Sequence, residues 1–261
     1  MTFLDYVLAA GGGFLAGGVN ALAGGGTLLS FPILIALGLP PVSANVTNTV
    51  ALSPGYLGGV LSQRSQLADQ GHRIRRLTAA AALGGLVGSI LLLLTSDDAF
   101  RNLIPVLLLV ATLLLAGQDR IRKVLKLGAG GIATEPSASE SGDPTWLPVP
   151  VFVVSLYGGY FGAGLGIMLL AVMGVVLHDS LPRLNALKQV LAFAINGTAA
   201  LFFLTSGKVY WVVALVMAVA SLAGGNVGGR LAGTVQPAKL RLVVVTIGLA
   251  VAVGYGIKLW L

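Results

Sequence analysis

A single lysine in an otherwise apolar stretch is the residue best suited to bind a charged ligand. Lys188 lies five positions beyond Arg183, in a segment that stays apolar to Phe203. A lysine inside a membrane costs a few kcal/mol unless water or a partner solvates its charge. Two interpretations follow: its ammonium group binds an anion, or its long side chain extends to the membrane interface.

Uncharged donors accompany this lysine. The pair Thr47-Asn48 in the first half of the chain corresponds to Lys188-Gln189 in the second, and further amides stand near both pairs, at Asn45, Asn185 and Asn196. Asn20 and Thr27 flank the glycine-rich string before them. Hydroxyl and amide groups of this kind donate hydrogen bonds to oxyanions, although each can also join two helices. Their clustering favours a binding site.

Two glycine-rich strings interrupt the apolar segments, Gly24-Gly25-Gly26 and Gly162-Ala163-Gly164-Leu165-Gly166. Contiguous or alternate glycines weaken a helix. Helices that restart at Thr27 and Ile167 would direct free amides and positive dipole ends toward the protein interior. An anion is the ligand expected there. The predicted substrate-binding residues are Asn20, Gly24, Gly25, Gly26, Thr27, Asn45, Thr47, Asn48, Gly162, Gly164, Gly166, Lys188, Gln189 and Asn196.

The chain contains the same pattern twice. Gly25 corresponds to Gly166, Pro41 to Pro182 and Ala51 to Ala192, all at one constant spacing that also relates the two polar pairs. Later, Gly84-Gly85-x-Val87-Gly88 matches Gly224-Gly225-x-Val227-Gly228 at nearly the same spacing, a motif that favours close helix packing. A two-fold repeat of this length is typical of membrane transporters. We expect a single domain with repeat 1 at about 1–118, a linker at about 119–146 and repeat 2 at about 147–261.

Composition indicates a membrane protein. Hydrophobic residues make up 56% of the chain and charged residues 10%, and the mean hydropathy is +0.92. A soluble domain has about 25% charged residues. The basic residues that give a pI near 10.0 lie in short loops beside apolar segments, as expected for contact with lipid and not with nucleic acid. The expected partners are a small anion and membrane lipids. The sequence does not decide whether the protein forms a homo-oligomer.

Catalytic chemistry has little support in the sequence. The chain has no cysteine, two histidines and no acidic residue deep in an apolar segment. Nothing points to a metal or a cofactor, and we do not expect an enzyme. Flanking the apolar segments, His178 and Asp179 form a candidate contact at a gate on the cytoplasmic side.

Charge distribution suggests how the halves face the membrane. If each broken segment is a re-entrant hairpin followed by three transmembrane helices, the second half is inverted. Thirteen of the sixteen Lys and Arg residues then lie toward the cytoplasm, and three lie outside. If each broken segment instead crosses the membrane once, ten of these basic residues lie toward the cytoplasm and six lie outside. Positive residues favour cytoplasmic loops, so we expect an all-α protein of two inverted repeats with both termini outside.

The glycine strings and their flanks carry a family resemblance. Gly24 to Pro32, followed by Gly38-Leu39-Pro40 and Ala44-Asn45-Val46-Thr47-Asn48, resembles the first repeat of the TauE/SafE family of sulfite exporters, and Gly159 to Gly166 resembles the second. The resemblance implies transport of sulfite, sulfonates or other small sulfur-containing anions across the inner membrane.

The leading hypothesis is a secondary transporter or facilitator that exports a small oxyanion bound at mid-membrane between two helix N-termini. Export needs no coupling ion, because an anion leaving a cell that is negative inside gains about 2.3 kcal/mol per charge at 100 mV. Two alternatives stay open: an anion channel with paired re-entrant hairpins, and an uptake permease for a small carboxylate or sulfur compound.

Overall fold

A computed structural model of the protein describes residues 1–22, 24–118, 143–177, 179–232 and 237–260. Within these ranges every regular element is helical. The α-helices are α1 (Phe3–Leu22), α2 (Thr27–Ala36), α3 (Pro41–Ser62), α4 (Gly71–Leu94), α5 (Asp97–Ala116), α6 (Pro148–Tyr160), α7 (Leu165–Val176), α8 (Leu181–Phe203), α9 (Trp211–Leu231) and α10 (Pro237–Trp260), and a short 3-10 helix covers Arg64–Leu67. Most of the predicted linker and His178 lie outside the described residues.

The helices suit a lipid environment. In the described part of the chain, α4, α5, α8 and α9 are long and apolar enough to cross a membrane. Large apolar side chains on the outside of the molecule, such as Leu94, Leu215 and Val219, are exposed. Such a surface is stable against hydrocarbon and not against water. The prediction of an all-α polytopic membrane protein is confirmed.

A helical hairpin opens each half of the chain, and each glycine string interrupts it as predicted. The first hairpin consists of α1 and α2, with its tip at Gly24–Gly26, and the second consists of α6 and α7, with its tip at 161–164. Gly24 and Gly25 have φ angles of +77° and +117°, and Gly162 and Gly164 have +77° and +76°. Because glycine has no Cβ, it adopts these angles without strain.

The two hairpins differ in length. Helix α1 has 20 residues and α2 has 10, whereas α6 has 13 and α7 has 12. At 1.5 Å per residue, α1 is about 30 Å long and the other three are about 15 to 20 Å. Helix α7 begins at Leu165 and not at Ile167, because the left-handed Gly164 already ends the break. Gly166 therefore lies in the first turn of α7.

Packing between the halves follows the repeat. Helix α1 packs along α9, and its counterpart α6 packs along α4, the counterpart of α9. Helices α3 and α9 pack together, as do their counterparts α8 and α4, while α3 meets α8 and α5 meets α10. Each hairpin thus packs mainly against a long helix of the opposite half.

Glycines let these helices approach closely. A Cβ atom on Gly84 would lie 2.6 Å from the carbonyl oxygen of Phe152, and one on Gly85 would lie 2.7 Å from that of Ile195. On the other pair, a Cβ on Gly228 would lie 2.7 Å from the Cα of Gly18. No methyl group fits at such distances. The interpretation of these motifs as helix-packing surfaces is confirmed.

Two apolar clusters meet along α8. One contains the rings of Phe31, Phe100 and Phe161, with centroids 5.4 to 6.4 Å apart and edge-to-face geometry, and α8 adds Phe203 to it. The other receives Leu184, Leu187 and Leu191 from α8, among others. Polar side chains of the predicted site lie on the same helix between or beside these apolar residues.

Candidate anion-binding site

Lys188 lies in the second turn of α8, and its side chain is 0% exposed. Its Nζ donates to the carbonyl oxygen of Asn20 at 3.2 Å and to Oδ1 of Asn185 at 2.8 Å. The carbonyl end of a helix carries partial negative charge, which favours a cation at the end of α1. The side chain turns inward, so the interpretation that it extends to the interface is wrong.

Asn20 joins the two helices of the first hairpin. Its Oδ1 accepts hydrogen bonds from the backbone N–H groups of Gly25 at 3.1 Å and Gly26 at 2.7 Å. An anion is the predicted ligand of these amides at the start of α2, but in this conformation the side chain of Asn20 binds them. Its carbonyl oxygen also accepts from Nε2 of Gln189 at 3.4 Å.

The first tip meets the second hairpin at two glycines. A Cβ on Gly24 would lie 2.9 Å from the Cα of Gly166, and a Cβ on Gly166 would lie 3.0 Å from the Cα of Gly24. The same atom on Gly166 would lie 3.3 Å from Cδ of Lys188. Gly166 thus allows close approach and is not part of the break. We call this contact the crossing point.

The second tip has a matching arrangement. Nδ2 of Asn45, in the second turn of α3, donates to the carbonyl oxygen of Tyr160 at the end of α6, at 2.8 Å. The hydroxyl of Tyr157 donates to the carbonyl oxygen of Ala163 within the tip, at 2.7 Å. Each hairpin therefore has the carbonyl end of its first helix held by a side chain from the opposite half.

Other predicted residues are also buried, and the hydrogen bonds of Thr47 and Asn196 go to partners other than Lys188. The hydroxyl of Thr47 accepts from the backbone N–H of Tyr210, before α9, at 3.0 Å. Nδ2 of Asn196 donates to the carbonyl oxygen of Ala192 in its own helix at 2.9 Å. Thr27 and Asn48 are 4% and 2% exposed. The structure gathers Asn20, Gly24, Gly25, Gly26, Gly166, Lys188 and Gln189 into one group, which we call the lysine group.

Two further side chains adjoin the lysine group. One is Asn185, an amide that is not among the predicted substrate-binding residues. Its Nδ2 donates to Oε1 of Gln63 at 2.7 Å and to the carbonyl oxygen of Ala21 at 3.3 Å. Its position three residues before Lys188, on the same helix face, was a signal available in the sequence. Gln63 lies at the end of α3 and no sequence pattern indicates it.

Several buried polar atoms of the predicted residues and Gln63 have no hydrogen-bond partner among the residues that the structure describes. They are Nδ2 of Asn20, Oδ1 of Asn45, Oδ1 of Asn48, Nε2 of Gln63 and Oε1 of Gln189. A buried polar group without a partner costs about 1 to 3 kcal/mol. Two of these atoms, Nδ2 of Asn20 and Nε2 of Gln63, are donors and can bind an oxygen of a ligand.

The lysine group is closed to solvent in this conformation. Asn20, Lys188 and Gln189 are at most 3% exposed, the glycines of the group are buried, and the adjoining Gln63 is 7% exposed. A cavity of about 260 Å³ lies elsewhere, between α2, α5 and α10, and its lining is apolar, for example Phe31, Ile104 and Val251. An anion has no favourable contact in that cavity.

A group of charged residues lies near the mouth of the second hairpin. Arg73, near the start of α4, binds Asp143 through Nε and Asp179 through Nη1, both at 2.7 Å. Arg183, in the first turn of α8, binds the other oxygen of Asp179 at 2.9 Å. We call these four residues the charged cluster. Asp179 thus pairs with arginines of α4 and α8.

Comparison with known proteins identifies the family of this chain. The model of the family described as sulfite exporter TauE/SafE matches residues 9–255. The chain belongs to the TauE/SafE family. The resemblance carried by the two glycine strings is thereby confirmed.

Curated relatives of this TauE/SafE chain have transporter names. A probable membrane transporter protein of Haemophilus influenzae is 27% identical over 239 residues, covering 89% of this chain and 87% of that protein. The probable membrane transporter protein YfcA of Escherichia coli is 27% identical over 227 residues, covering 83% and 77%. The probable membrane transporter protein ORF9 of Sinorhizobium sp. is 27% identical over 264 residues, covering 95% and 93%. No solved structure shows a significant match. The TauE/SafE chain is a membrane transporter.

Proposed function

We propose that this TauE/SafE transporter exports a small oxyanion, sulfite or an organosulfonate, across the inner membrane and binds it at the crossing point. The observation that carries the proposal is the position of Lys188. Its ammonium group is fully buried where the first tip meets α7. A buried cation among amides attracts an anion strongly, because low dielectric strengthens their interaction.

The chemistry of recognition uses groups that already surround Lys188. An entering oxyanion competes with the carbonyl oxygen of Asn20 and with Oδ1 of Asn185 for the protons on Nζ. Nδ2 of Asn20, which has no partner within the described ranges, can donate to a second oxygen. The ammonium group attracts an ionised acceptor more strongly than a neutral carbonyl oxygen, because two opposite charges add a Coulomb attraction. The anion therefore takes the place of weaker acceptors.

An inverted repeat explains the contacts of the second hairpin. Asp143 precedes α6 and Asp179 follows α7, and one guanidinium group binds both carboxylates. The two ends of this hairpin are therefore neighbours, as a re-entrant hairpin requires. The distribution of the sixteen basic residues supports a cytoplasmic position for this mouth.

Alternating access follows from the closed site. The lysine group is buried from both sides, so one half must move relative to the other before the anion enters or leaves. The matching hydrogen bonds at the two tips give each half a similar contact to break. Outward movement of an anion is driven by a membrane potential that is negative inside.

Flux measurements in proteoliposomes test the proposal. The wild-type protein should carry labelled sulfite or methanesulfonate down an imposed gradient, and Lys188→Met should reduce the rate at least about tenfold, as expected for the loss of a charge-assisted hydrogen bond. Lys208→Met is the matched control, because Lys208 precedes α9 and is only partly buried. Equal rates for the two variants, or equal flux in protein-free vesicles, would overturn the proposal.

A further inference from the structure

We propose that the charged cluster is the cytoplasmic gate of the transporter and that Arg73 is the positioning residue that closes it. The inference rests on the proposed function and orientation. It assigns Arg73, Asp143, Asp179 and Arg183 a role in access to the lysine group and not in binding the substrate.

Arg73 fixes the second hairpin at its open end. Its guanidinium group binds carboxylates on both sides of the hairpin, and nearby Arg76 donates to the backbone carbonyl oxygens of Asp143 at 3.3 Å and Pro144 at 2.8 Å. Both arginines belong to α4, the long helix on which α6 packs. While these contacts hold, the hairpin mouth cannot separate from α4.

The charged cluster continues into α8. Asp179 binds Arg183, whose carbonyl oxygen accepts from Nε2 of Gln70 at 3.3 Å in the segment before α4. Lys188 lies five residues after Arg183, about 7.5 Å along the axis. Between them, Asn185 binds both Lys188 and Gln63. The charged cluster thus forms the outer layer, Asn185 with Gln63 the middle layer, and the lysine group the inner layer.

The opposite side is closed by contacts of another kind. There Oδ1 of Asp97, at the start of α5, accepts from the backbone N–H of Val42 at 3.0 Å, and the hydroxyls of Thr95 and Tyr160 lie 3.3 Å apart. Among the described residues, every ion pair that joins different elements belongs to the charged cluster. The remaining pair, Arg101 with Asp98, lies within α5.

Partial exposure makes the cluster reversible. The side chains of Arg73, Asp143, Asp179 and Arg183 are 24%, 16%, 12% and 30% exposed. Charges at this depth attract one another more than fully exposed charges do, yet water reaches them when they separate. Such pairs can hold a closed state and release it during each transport cycle.

Cysteine labelling tests the gate without any substrate. The chain has no cysteine, so Gln63→Cys introduces a single probe in the middle layer, where the native side chain is 7% exposed. In inside-out vesicles, adding Arg73→Gln should raise the rate of labelling by a membrane-impermeant maleimide about tenfold, the shift expected when a charge-assisted hydrogen bond is lost. Arg73→Lys should restore much of the slow rate.

Arg75→Gln is the matched control, since Arg75 lies on the same turn of α4 with an exposed side chain. It should leave the labelling rate unchanged. If Arg73→Gln does not yield folded protein, Asp179→Asn removes the negative charge shared by both arginines and should give the same increase. Unchanged labelling in a folded variant, or equal acceleration in right-side-out vesicles, overturns the gate. Faster labelling in a protein that carries no sulfite retains the gate and removes only the proposed substrate.

Discussion

At the residue scale, Asn20 has two separate tasks that substitution can divide. Its side chain accepts from two amides of the tip, while its carbonyl oxygen accepts from Lys188. The first task requires only an oxygen acceptor. The second uses the backbone, which a substitution leaves in place, so it is disturbed only when the new side chain places a charge beside the ammonium group. Two replacements of similar size affect these tasks differently.

Asn20→Asp keeps an acceptor for both amides and brings a negative charge beside Lys188. We expect the melting temperature in detergent to stay near that of the wild type and sulfite flux to fall, because the carboxylate competes with the substrate. Asn20→Leu leaves two buried N–H groups without an acceptor, at about 1 to 3 kcal/mol each, and should lower the melting temperature as well. Wild-type flux in Asn20→Asp would contradict the role given to Lys188.

Gly24 is the residue where backbone angle and crowding act together. Gly24→Ala introduces an unfavourable φ, which costs about 1 to 2 kcal/mol, and a methyl group 2.9 Å from the Cα of Gly166. Gly38 has a φ of +85°, and no atom of the described residues lies within 4 Å of a Cβ placed there. Gly38→Ala therefore introduces the unfavourable φ without the crowding. Thermal unfolding should show the larger loss for Gly24→Ala. Equal losses would mean that the crossing point is not tightly packed.

At the element scale, substitutions at two helical glycines separate the effect of helix packing on stability from the effect of helix propensity. A Cβ on Gly225 of α9 would lie 2.8 Å from the carbonyl carbon of Gly55 in α3, whereas one on Gly197 of α8 has no atom of the described residues within 4 Å. We expect Gly225→Ala to destabilise the protein by about 1 to 3 kcal/mol through overpacking. Gly197→Ala should stabilise it by about 0.5 to 1 kcal/mol through helix propensity. Denaturation in detergent measures both, and stabilisation by Gly225→Ala would contradict the α3 and α9 contact.

The elements could be predicted from the sequence because glycine and proline act locally. Both hairpin breaks, the start of α2 at Thr27 and the proline at the start of α3 were readable from residue types alone. The start of α7 was placed two residues late, because a glycine that allows close approach looks the same in sequence as a glycine that ends a helix. Gly166 is such a case.

The sequence indicated which residue types form the site. It did not indicate which of these residues contact each other. Lys188, Asn20 and Gln189 do meet, but their partners depend on which helices cross. No local pattern shows that the carbonyl end of α1 faces α8, or that Gln63 reaches Asn185. The ion pairs of the charged cluster join residues up to 106 positions apart, and only the fold brings them together.

At the scale of the whole molecule, the inverted arrangement predicts the side on which each segment lies. In the cysteine-free chain, Thr2→Cys should react with an impermeant maleimide in right-side-out vesicles only, and Ser139→Cys in the predicted linker should react in inside-out vesicles only. The reason is the excess of basic residues on the cytoplasmic side. Ser206→Cys, in the segment after α8, should behave like Thr2→Cys and serves as an internal control. Labelling of Thr2→Cys from the cytoplasmic side would contradict the proposed orientation.

The position of a bound anion tests the proposed function most directly, because that function requires a site for negative charge at the crossing point. Crystals of the protein grown with selenite, measured at the selenium absorption edge, would locate the oxyanion without ambiguity. We predict an anomalous peak within hydrogen-bond reach of Nζ of Lys188, between Asn20 and Gly166. A peak away from Lys188, for instance in the charged cluster alone, would contradict the proposed site.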